Sequence, residues 1–341
     1  MKILADKYIP FLQGRLEPTA DITYIDPEEF TPENVRDADA LLIRTRTRCD
    51  ARLLNESSVK FIATCTIGMD QFDLPWCKSA GIEAVNAPGC NAPGVAQYVW
   101  SALLRAGMRP GHHKIGIVGY GNVGKIVAEW GKLLGFEILL NDPPLLESGY
   151  EVSKAEGRFT DLETLLHECD AVTFHTPLTK SGKHSTFHLL SEEKVALLPQ
   201  KGLIINAARG PVTSTEALLK AKKDKDSVLI IDTWENEPHL SRELLDKTLL
   251  GTYHIAGYSF QGKQRATRMA IEALCHYFKL PVPDVSDLAP SYSLRGKVTP
   301  QAILSSYNPY NDTFPLKQNP GAFEWMRDRY DFRSEPSFVL G

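Results

Sequence analysis

Short apolar runs alternate with segments of helical periodicity along most of the chain, up to about residue 260. This alternation predicts β-α-β units that build parallel sheets. Five runs in the first part, each ended by proline, glycine or polar residues, predict the strands of a small α/β domain. They cover residues 2–6, 22–25, 40–44, 60–65 and 82–87.

A segment with helical spacing follows, from about Asn91 to Gly107, with Pro93 in its first turn. A second set of apolar runs then lies at residues 114–121, 137–142, 170–175, 203–208 and 228–234. These runs are almost wholly apolar, which is typical of strands covered by helices on both faces. We therefore predict an α/β fold with two doubly wound parallel sheets.

The pattern changes after about residue 281, where prolines and tyrosines become frequent and regular structure is harder to predict. Exposure of several large aromatic side chains to water, such as those of Tyr307, Phe314 and Trp325, is energetically unfavourable. We therefore expect this tail to be a separate unit, either a small subdomain or an oligomer contact, rather than a linker.

Composition narrows the class of protein. A chain of 341 residues exceeds what one hydrophobic core usually spans, which predicts two or more domains. The 38 basic and 42 acidic residues leave a formal charge of -4, so no strong field favours nucleic acid or an anionic membrane. No signal segment or membrane span is evident, and we expect a cytoplasmic protein. Scattered cysteines predict reduced, buried thiols, and His184 and His188 lack a third ligand nearby, so we expect no metal site.

The most specific motif is a glycine loop. Gly119, Gly121 and Gly124 form G-x-G-x-x-G directly after an apolar run and before a helical pattern. The first glycine permits a tight turn, the second lets backbone N–H groups approach a pyrophosphate, and the third lets strand and helix pack closely. Asn122 and Val123 would then lie at the positive end of the helix, beside the phosphates. In this context the motif predicts a dinucleotide site.

Asp142 ends the next apolar run, 18 residues after Gly124. A carboxylate there can accept hydrogen bonds from ribose hydroxyls and would repel the additional phosphate of NADP. The alternative for the glycines is a tight turn that binds no ligand. The alternative for Asp142 is a polar residue that only ends a strand. The combined spacing favours the dinucleotide interpretation, with NAD as the cofactor.

Three later segments also stand at predicted strand ends, where ligands collect in open α/β sheets. They are residues 206–210, 232–238 and 254–259, which supply Arg209, Glu237 and His254. Oxidation of a 2-hydroxy acid needs a cation for the carboxylate, a base for the hydroxyl proton and a group that tunes the base. Taken singly, each of these residues is more easily a solvated charge, a turn cap or a core histidine.

In this order, the glycine loop and the N-x-x-R-G, D-x-W-x-x-E-P and H-x-A-G segments resemble the D-2-hydroxyacid dehydrogenase family over roughly residues 1–280. The resemblance implies that residues 1–91 and 254–280 form a discontinuous, flavodoxin-like substrate-binding domain. Residues 92–253 would be an inserted Rossmann NAD-binding domain, and residues 281–341 a C-terminal dimerisation region. A homodimer with a hinged cleft between the domains is therefore expected.

The resemblance also implies the catalytic roles. His254 takes the hydroxyl proton while hydride leaves the same carbon for the nicotinamide. Glu237 orients the imidazole and favours its protonated form, and Arg209 binds the carboxylate of the substrate. Further cofactor contacts are implied at Thr176, Ala208, Asp232 and Gly257.

Within the family, residues 89–92, 234–238 and 254–259 are close to the branch that oxidises 4-phospho-D-erythronate to 2-oxo-3-hydroxy-4-phosphobutanoate in vitamin B6 synthesis. By that resemblance Thr45, Thr66 and Tyr258 contact the phosphorylated hydroxy acid. Arg44 and Arg46 alternate along a strand end, so either or both can reach its phosphate, and a solvated strand edge is the equal alternative. Residues 68–73 and 211–214 differ from the sequence that is more common in the family at these positions, so substrate contacts there stay open.

Two rival functions stay open. A dehydrogenase for 3-phosphoglycerate, glyoxylate or D-lactate would share the fold. A regulatory tail of the phosphoglycerate type, however, would show a repeated strand and helix pattern after the core, whereas the tail of this chain is rich in proline. An NAD-sensing transcriptional corepressor with the same fold retains the same three residues in some cases. Turnover of a panel of 2-hydroxy acids separates these alternatives.

Overall fold

The structure is a computed structural model that describes residues 1–340. Within that range the strands are β1 (Lys2–Asp6), β2 (Asp21–Ile25), β3 (Ala40–Ile43), β4 (Phe61–Thr64), β5 (Glu83–Val85), β6 (Lys114–Val118), β7 (Glu137–Asn141), β8 (Arg158–Phe159), β9 (Ala171–Phe174), β10 (Leu203–Asn206), β11 (Val228–Ile231) and β12 (Leu250–Gly251). The helices are α1 (Pro32–Val35), α2 (Ala51–Leu54), α3 (Leu74–Ser79), α4 (Ala92–Arg105), α5 (Asn122–Leu134), α6 (Pro143–Glu147), α7 (Leu162–Glu168), α8 (Thr215–Lys225), α9 (Arg242–Lys247), α10 (Phe260–Phe278), α11 (Pro300–Ser306), α12 (Tyr310–Gln318), α13 (Phe323–Asp328) and α14 (Ser337–Leu340).

Most helices begin where a short polar side chain satisfies a backbone N–H group of the first turn. The capping residues are Thr31, Asp50, Asp73, Asp142, Asp161, Ser214, Ser241, Ser259 and Thr299. The helix α5 differs, because the glycine loop replaces the polar cap at its N-terminus.

The first compact unit comprises Met1–Asn91 and Ser259–Tyr292. Its sheet has the order β2-β1-β3-β4-β5, and all neighbouring strands are parallel. This is the flavodoxin-like order. One face packs against α10, with Ile271 and Phe61 in a common core, and a second core that contains Ile62 covers the opposite face. The prediction of a doubly wound sheet is confirmed for this unit.

The second compact unit comprises Ala92–Tyr258 and the C-terminal segment from Ser293. Its parallel strands have the order β12-β11-β10-β9-β6-β7-β8. This is a Rossmann order extended by β12. The chain adds β7 and β8 on one side of β6 and then β9 to β12 on its other side, so the topological switch point lies between β6 and β9. The glycine loop follows β6, so the fold places it at the switch point where open α/β sheets bind ligands.

The tail differs from the expectation of a separate region that begins at residue 281. Residues 281–292 belong to the first unit, and the later residues pack into the second. Leu316 and Phe323 are fully buried in the core of the second unit, and Tyr307 is also buried. Prolines start helices here rather than prevent them, since Pro300 is the first residue of α11 and Pro309 caps α12.

The boundary expected after residue 253 also differs. The contacts assign residues 254–258 to the second unit, because the backbone N–H of His254 donates to the carbonyl of Asp232 at 2.9 Å. The boundary after Asn91 coincides with the expected one. Strands β8 and β12 were not predicted, because two residues each are too short to give a periodic pattern. Among the described residues, no helix is both long and apolar enough to cross a bilayer.

Candidate active site

The segments that carry the candidate catalytic residues follow three neighbouring strands. Strands β10, β11 and β12 lie side by side in the second unit. Arg209, Asp232 and His254 come after the carboxyl ends of these strands in turn. Because parallel strands end at the same edge of a sheet, the fold gathers the three segments there.

Glu237 and His254 form the closest contact between candidate catalytic residues. His254 Nδ1 lies 2.5 Å from Glu237 Oε1, and Glu237 Oε2 accepts the backbone N–H of Trp234 at 3.0 Å. Burial opposes ionisation of Glu237, but its bonds to His254 and Trp234, and the nearby charge of Arg327, lower the pKa of Glu237 below its ordinary value. An ionised carboxylate is an acceptor only, so the proton between the two groups resides on Nδ1. That leaves Nε2 of His254 to exchange a proton with a substrate.

Asp232 anchors the loop that carries His254. Its side chain is buried, and Oδ1 accepts the hydroxyl of Thr252 at 2.7 Å and the N–H of Ile255 at 2.8 Å. Oδ2 accepts the N–H of Ala256 at 2.9 Å. His254 itself has a φ of 60°, a left-handed conformation that is unfavourable for residues other than glycine. The bonds to Asp232 over-determine this conformation. A direct cofactor contact of Asp232 stays a prediction.

A buried asparagine shapes the loop of Arg209. Asn206 Nδ2 donates to the carbonyls of Arg209 at 3.0 Å and Gly210 at 3.2 Å, and its Oδ1 accepts the N–H of Ala208 at 3.1 Å. Gly210 makes a close approach, because a Cβ added there would lie 1.9 Å from the carbonyl oxygen of Trp234. Glycine therefore lets the loop after β10 touch the loop after β11, which carries the predicted catalytic carboxylate of Glu237.

The glycine loop has the geometry that a pyrophosphate requires. Gly119 has a φ of 92°, and a Cβ there would lie 2.7 Å from the carbonyl oxygen of His175. A Cβ on Gly124 would lie 1.9 Å from the carbonyl oxygen of Gly119, whereas one on Gly121 would meet nothing within 4 Å. The loop opens α5 at Asn122, and no side chain caps this N-terminus among the described residues. Its first N–H groups are therefore available to bind an anion.

Two buried polar atoms lie beside this loop, at the end of β9. Within residues 1–340, the Thr176 hydroxyl and His175 Nδ1 have no hydrogen-bond partner. An unpaired buried polar group costs about 1–3 kcal/mol, so a partner is expected from a ligand. Burial also lowers the pKa of His175 to about 3, which keeps its ring neutral. These atoms and the glycine loop fit the predicted dinucleotide.

Asp142 lies against the glycine loop as well. Its Oδ2 accepts the N–H of Tyr120 at 2.7 Å, and its Oδ1 accepts the N–H of Leu145 at 3.1 Å at the start of α6. A carboxylate has about four acceptor positions, so two of them stay available for ribose hydroxyls. Recognition of the ribose by Asp142 stays a prediction.

The first unit carries the other predicted substrate residues, after the neighbouring strands β3 and β4. Thr45 and Arg46 are exposed, and Thr66 is half-buried. Arg44 donates through Nε to Asp6 at 2.9 Å, and the side chain of Asp6 is wholly buried. The charge of Arg44 is therefore balanced within its own unit. Substrate contacts of these residues stay predictions.

Two arginines of the tail, which the sequence analysis missed, contact the loop after His254. Arg327 Nε donates to the hydroxyl of Tyr258 at 3.2 Å. Arg333 Nη1 donates to the carbonyl of Ile255 at 2.9 Å, and its Nη2 donates to that of Ala256 at 2.5 Å. Neither arginine stands in a motif, and the tail shows no periodic pattern that would have brought it to this loop.

The described residues contain no group of three or more His, Cys, Asp or Glu side chains arranged to hold a metal ion. His184 instead pairs with Glu147 at 2.9 Å, and His188 pairs with Glu235 at 2.6 Å. The six cysteines are buried, and none of them forms a disulfide within the described residues.

Comparison with known proteins agrees with this geometry. Residues 94–256 match the family model described as D-isomer specific 2-hydroxyacid dehydrogenase, NAD binding domain. Two relatives carry the name erythronate-4-phosphate dehydrogenase. The protein of Bacteroides fragilis is 45% identical over 98% of this chain and 97% of its own length. That of Porphyromonas gingivalis is 37% identical over 97% of this chain and 92% of its own length.

The fold also has a solved counterpart in the NAD+-bound 3-phosphoglycerate dehydrogenase of Entamoeba histolytica. The two structures superpose with a TM-score of 0.68 at 24% sequence identity. The match covers 82% of this chain and 95% of that chain. At this level of identity, the likeness shows a common fold.

Proposed function

Because this chain belongs to the D-isomer specific 2-hydroxyacid dehydrogenase family, we propose that it oxidises 4-phospho-D-erythronate with NAD. The product is 2-oxo-3-hydroxy-4-phosphobutanoate, an intermediate on the way to pyridoxal 5'-phosphate. The observation that carries the reaction class is the 2.5 Å contact between His254 and Glu237 at the strand ends. The choice of substrate rests on relatives of that name, up to 46% identical over 98% of the chain.

Each catalytic residue has one task in this reaction. Arg209 binds the carboxylate of the substrate through its planar guanidinium and so orients the neighbouring alcohol. His254 Nε2 accepts the hydroxyl proton as the carbonyl forms, and Glu237 stabilises the resulting imidazolium through Nδ1. When bound at the glycine loop, NAD would supply the acceptor for the hydride that leaves the same carbon. In the reverse direction His254 returns the proton to the oxygen.

The residues of the second unit also support the choice of cofactor. The N–H groups at the start of α5 bind the pyrophosphate, and Asp142 accepts the ribose hydroxyls. The cofactor contacts are completed by Thr176, Ala208 and Gly257. The substrate is bound in addition by Thr45 and Thr66 of the first unit. The carboxylate of Asp142 would repel the additional phosphate of NADP, so NAD is preferred.

The enzyme is further proposed to work as a cytoplasmic homodimer. Support for dimerisation comes from large aromatic side chains on the C-terminal segment that are exposed in the single chain, with Phe314 at 65% and Trp325 at 59%. Support for a reducing compartment comes from the six cysteines, which form no disulfide within the described residues. Sedimentation of the purified chain tests the dimer.

A panel of D-2-hydroxy acids, with and without phosphate, tests the substrate with both NAD and NADP. We expect 4-phosphoerythronate to give the highest kcat/KM, and His254→Asn to lower its kcat by about two to four powers of ten with little change in NAD affinity. A higher kcat/KM for 3-phosphoglycerate or glyoxylate would contradict the substrate. Turnover of no acid, despite NAD binding, would instead indicate a corepressor.

A further inference from the structure

The C-terminal segment brings a mostly buried arginine to the catalytic loops. Arg327 lies on α13, and its side chain is 19% exposed. Its Nε donates to the Tyr258 hydroxyl at 3.2 Å, and its guanidinium carbon lies 5.9 Å from the centroid of that ring. Its charge also acts on Glu237, the partner of His254. Arg327 therefore shares its surroundings with a predicted substrate residue and with the catalytic carboxylate.

The guanidinium of Arg327 makes few direct polar contacts within the protein. Its ion pair with Glu324 is 3.8 Å long, and the side chain of Glu324 is 44% exposed. Within residues 1–340 its guanidinium makes one hydrogen bond, the one to Tyr258. Arg333, on the same segment, makes hydrogen bonds through all three of its nitrogen atoms. A mostly buried guanidinium with so few hydrogen bonds has N–H donors left to bind the oxygen atoms of an anion.

Arg44 is one of the two arginines that the sequence pattern offered for the phosphate, and it has a closer carboxylate partner than Arg327. Arg44 lies 2.9 Å from Asp6, whose carboxylate is wholly buried. Its guanidinium carbon also lies 5.3 Å from the ring centroid of Tyr8. A cation held 2.9 Å from a buried carboxylate has less capacity to bind a further anion than one whose ion pair is 3.8 Å long.

We propose that Arg327, together with the hydroxyl of Tyr258, binds the phosphate of the substrate and so determines the preference for a phosphorylated acid. This inference rests on the function proposed above. A guanidinium presents a planar pair of N–H donors that matches two phosphate oxygens. The phosphate supplies acceptor oxygens for the Arg327 nitrogens that make no hydrogen bond within residues 1–340, and Arg209 binds the carboxylate of the same substrate.

Two variants and one matched control test the role of Arg327. Arg327→Gln removes the charge, and Arg327→Lys keeps the charge without the planar fork. Arg329→Gln is the control, because Arg329 is an exposed arginine of the same segment that lies 4.9 Å from the ring of the exposed Trp325. Each protein is assayed at saturating NAD with 4-phosphoerythronate and with erythronate, the same acid without phosphate. Thermal unfolding and NAD affinity show whether each variant is folded.

We expect Arg327→Gln to raise KM for 4-phosphoerythronate by about 30- to 100-fold while kcat stays within about fivefold. Its kcat/KM for erythronate should stay within about threefold of wild type, because that acid has no phosphate to lose. Arg327→Lys should raise KM for the phosphorylated acid by about 5- to 20-fold. Arg329→Gln should match wild type on both acids.

Equal losses on both acids, mainly in kcat, would show that Arg327 acts only through Glu237 or Tyr258 and would overturn the proposal. If Arg327→Gln does not fold, Arg327→Lys decides, and an unchanged KM for the phosphorylated acid overturns the proposal. If wild type does not turn over erythronate measurably, the division of the effect between KM and kcat for the phosphorylated acid decides. Failure of wild type to oxidise 4-phosphoerythronate would refute the proposed function itself, which is a different result from wild-type activity with insensitive variants.

Discussion

The contact between Glu237 and His254 makes the substitution Glu237→Gln the sharpest test of the mechanism. Both carboxylate oxygens are engaged, Oε1 with Nδ1 of His254 and Oε2 with the N–H of Trp234. In the variant the backbone N–H still needs an acceptor, so the single amide oxygen faces Trp234 and the NH2 group faces Nδ1. The neutral imidazole must then carry its proton on Nε2, the atom that should accept the hydroxyl proton. The substitution thus keeps the shape of the site and removes the base.

The expected loss of rate has two parts. A hydrogen bond to a charged partner contributes about 1.5–3 kcal/mol, which corresponds to roughly 10- to 150-fold in rate. The wrong tautomer adds to this, as shown by the loss of about 10⁴ in kcat when the aspartate of a Ser-His-Asp triad becomes asparagine. We therefore expect kcat for alcohol oxidation to fall by about 10² to 10⁴. The KM for NAD should change by less than about threefold, since the cofactor loop is unaltered.

The measurement is the absorbance of the reduced cofactor, with folding checked by thermal unfolding. Glu235→Gln is the matched control, because Glu235 also pairs with a histidine, His188, at 2.6 Å and accepts the N–H of Thr215. Its activity should stay within about threefold of wild type. A folded Glu237→Gln variant with kcat within about fivefold of wild type would refute the reasoning about the tautomer.

Three further predictions concern other parts of the second unit. Asp142→Ala should raise the kcat/KM for NADP relative to that for NAD by at least about tenfold. It should also lower the free energy of unfolding by about 1 kcal/mol, because α6 loses its N-terminal cap. An unchanged ratio of the two kcat/KM values would show that another residue recognises the ribose. Arg333→Met should destabilise the fold by about 3–5 kcal/mol in urea unfolding, because it leaves buried carbonyls at Ile255 and Ala256 unpaired, and a loss below about 1 kcal/mol would contradict this. Burial lowers the pKa of His175 to about 3, whereas an unfolded histidine titrates near 6.5, so the unfolded chain binds one more proton between these values. Unfolding free energy should therefore fall as pH drops from about 6.5, by up to about 1.4 kcal/mol per pH unit, and His175→Gln should flatten this slope; an identical slope would refute the assignment.

Local patterns were enough to predict the parts of this protein whose chemistry lies in consecutive residues. The strands of both sheets are runs of buried residues such as Ala40–Ile43 and Leu203–Asn206, and a run of consecutive apolar residues can be recognised directly in a sequence. Gly119 and Gly124 could be interpreted in the same way, because the positive φ of Gly119 and the contact of Gly124 with the Gly119 carbonyl involve near neighbours in the chain. Strand-end placement also indicated Arg209 and His254, since the direction of parallel strands fixes which edge their ends share.

Tertiary structure alone decided what depends on partners far apart in the chain. Arg327 reaches Tyr258 across 69 residues and Arg333 reaches Ile255 across 78, and no local signal connects such positions. The same holds for Asp232, which the family resemblance implies as a cofactor ligand and whose side chain anchors the loop of His254 in the structure. Hydrophobic periodicity reports which face of an element is buried, but not which element covers it. The partners of a buried charge are therefore set by packing, and only the folded chain shows them.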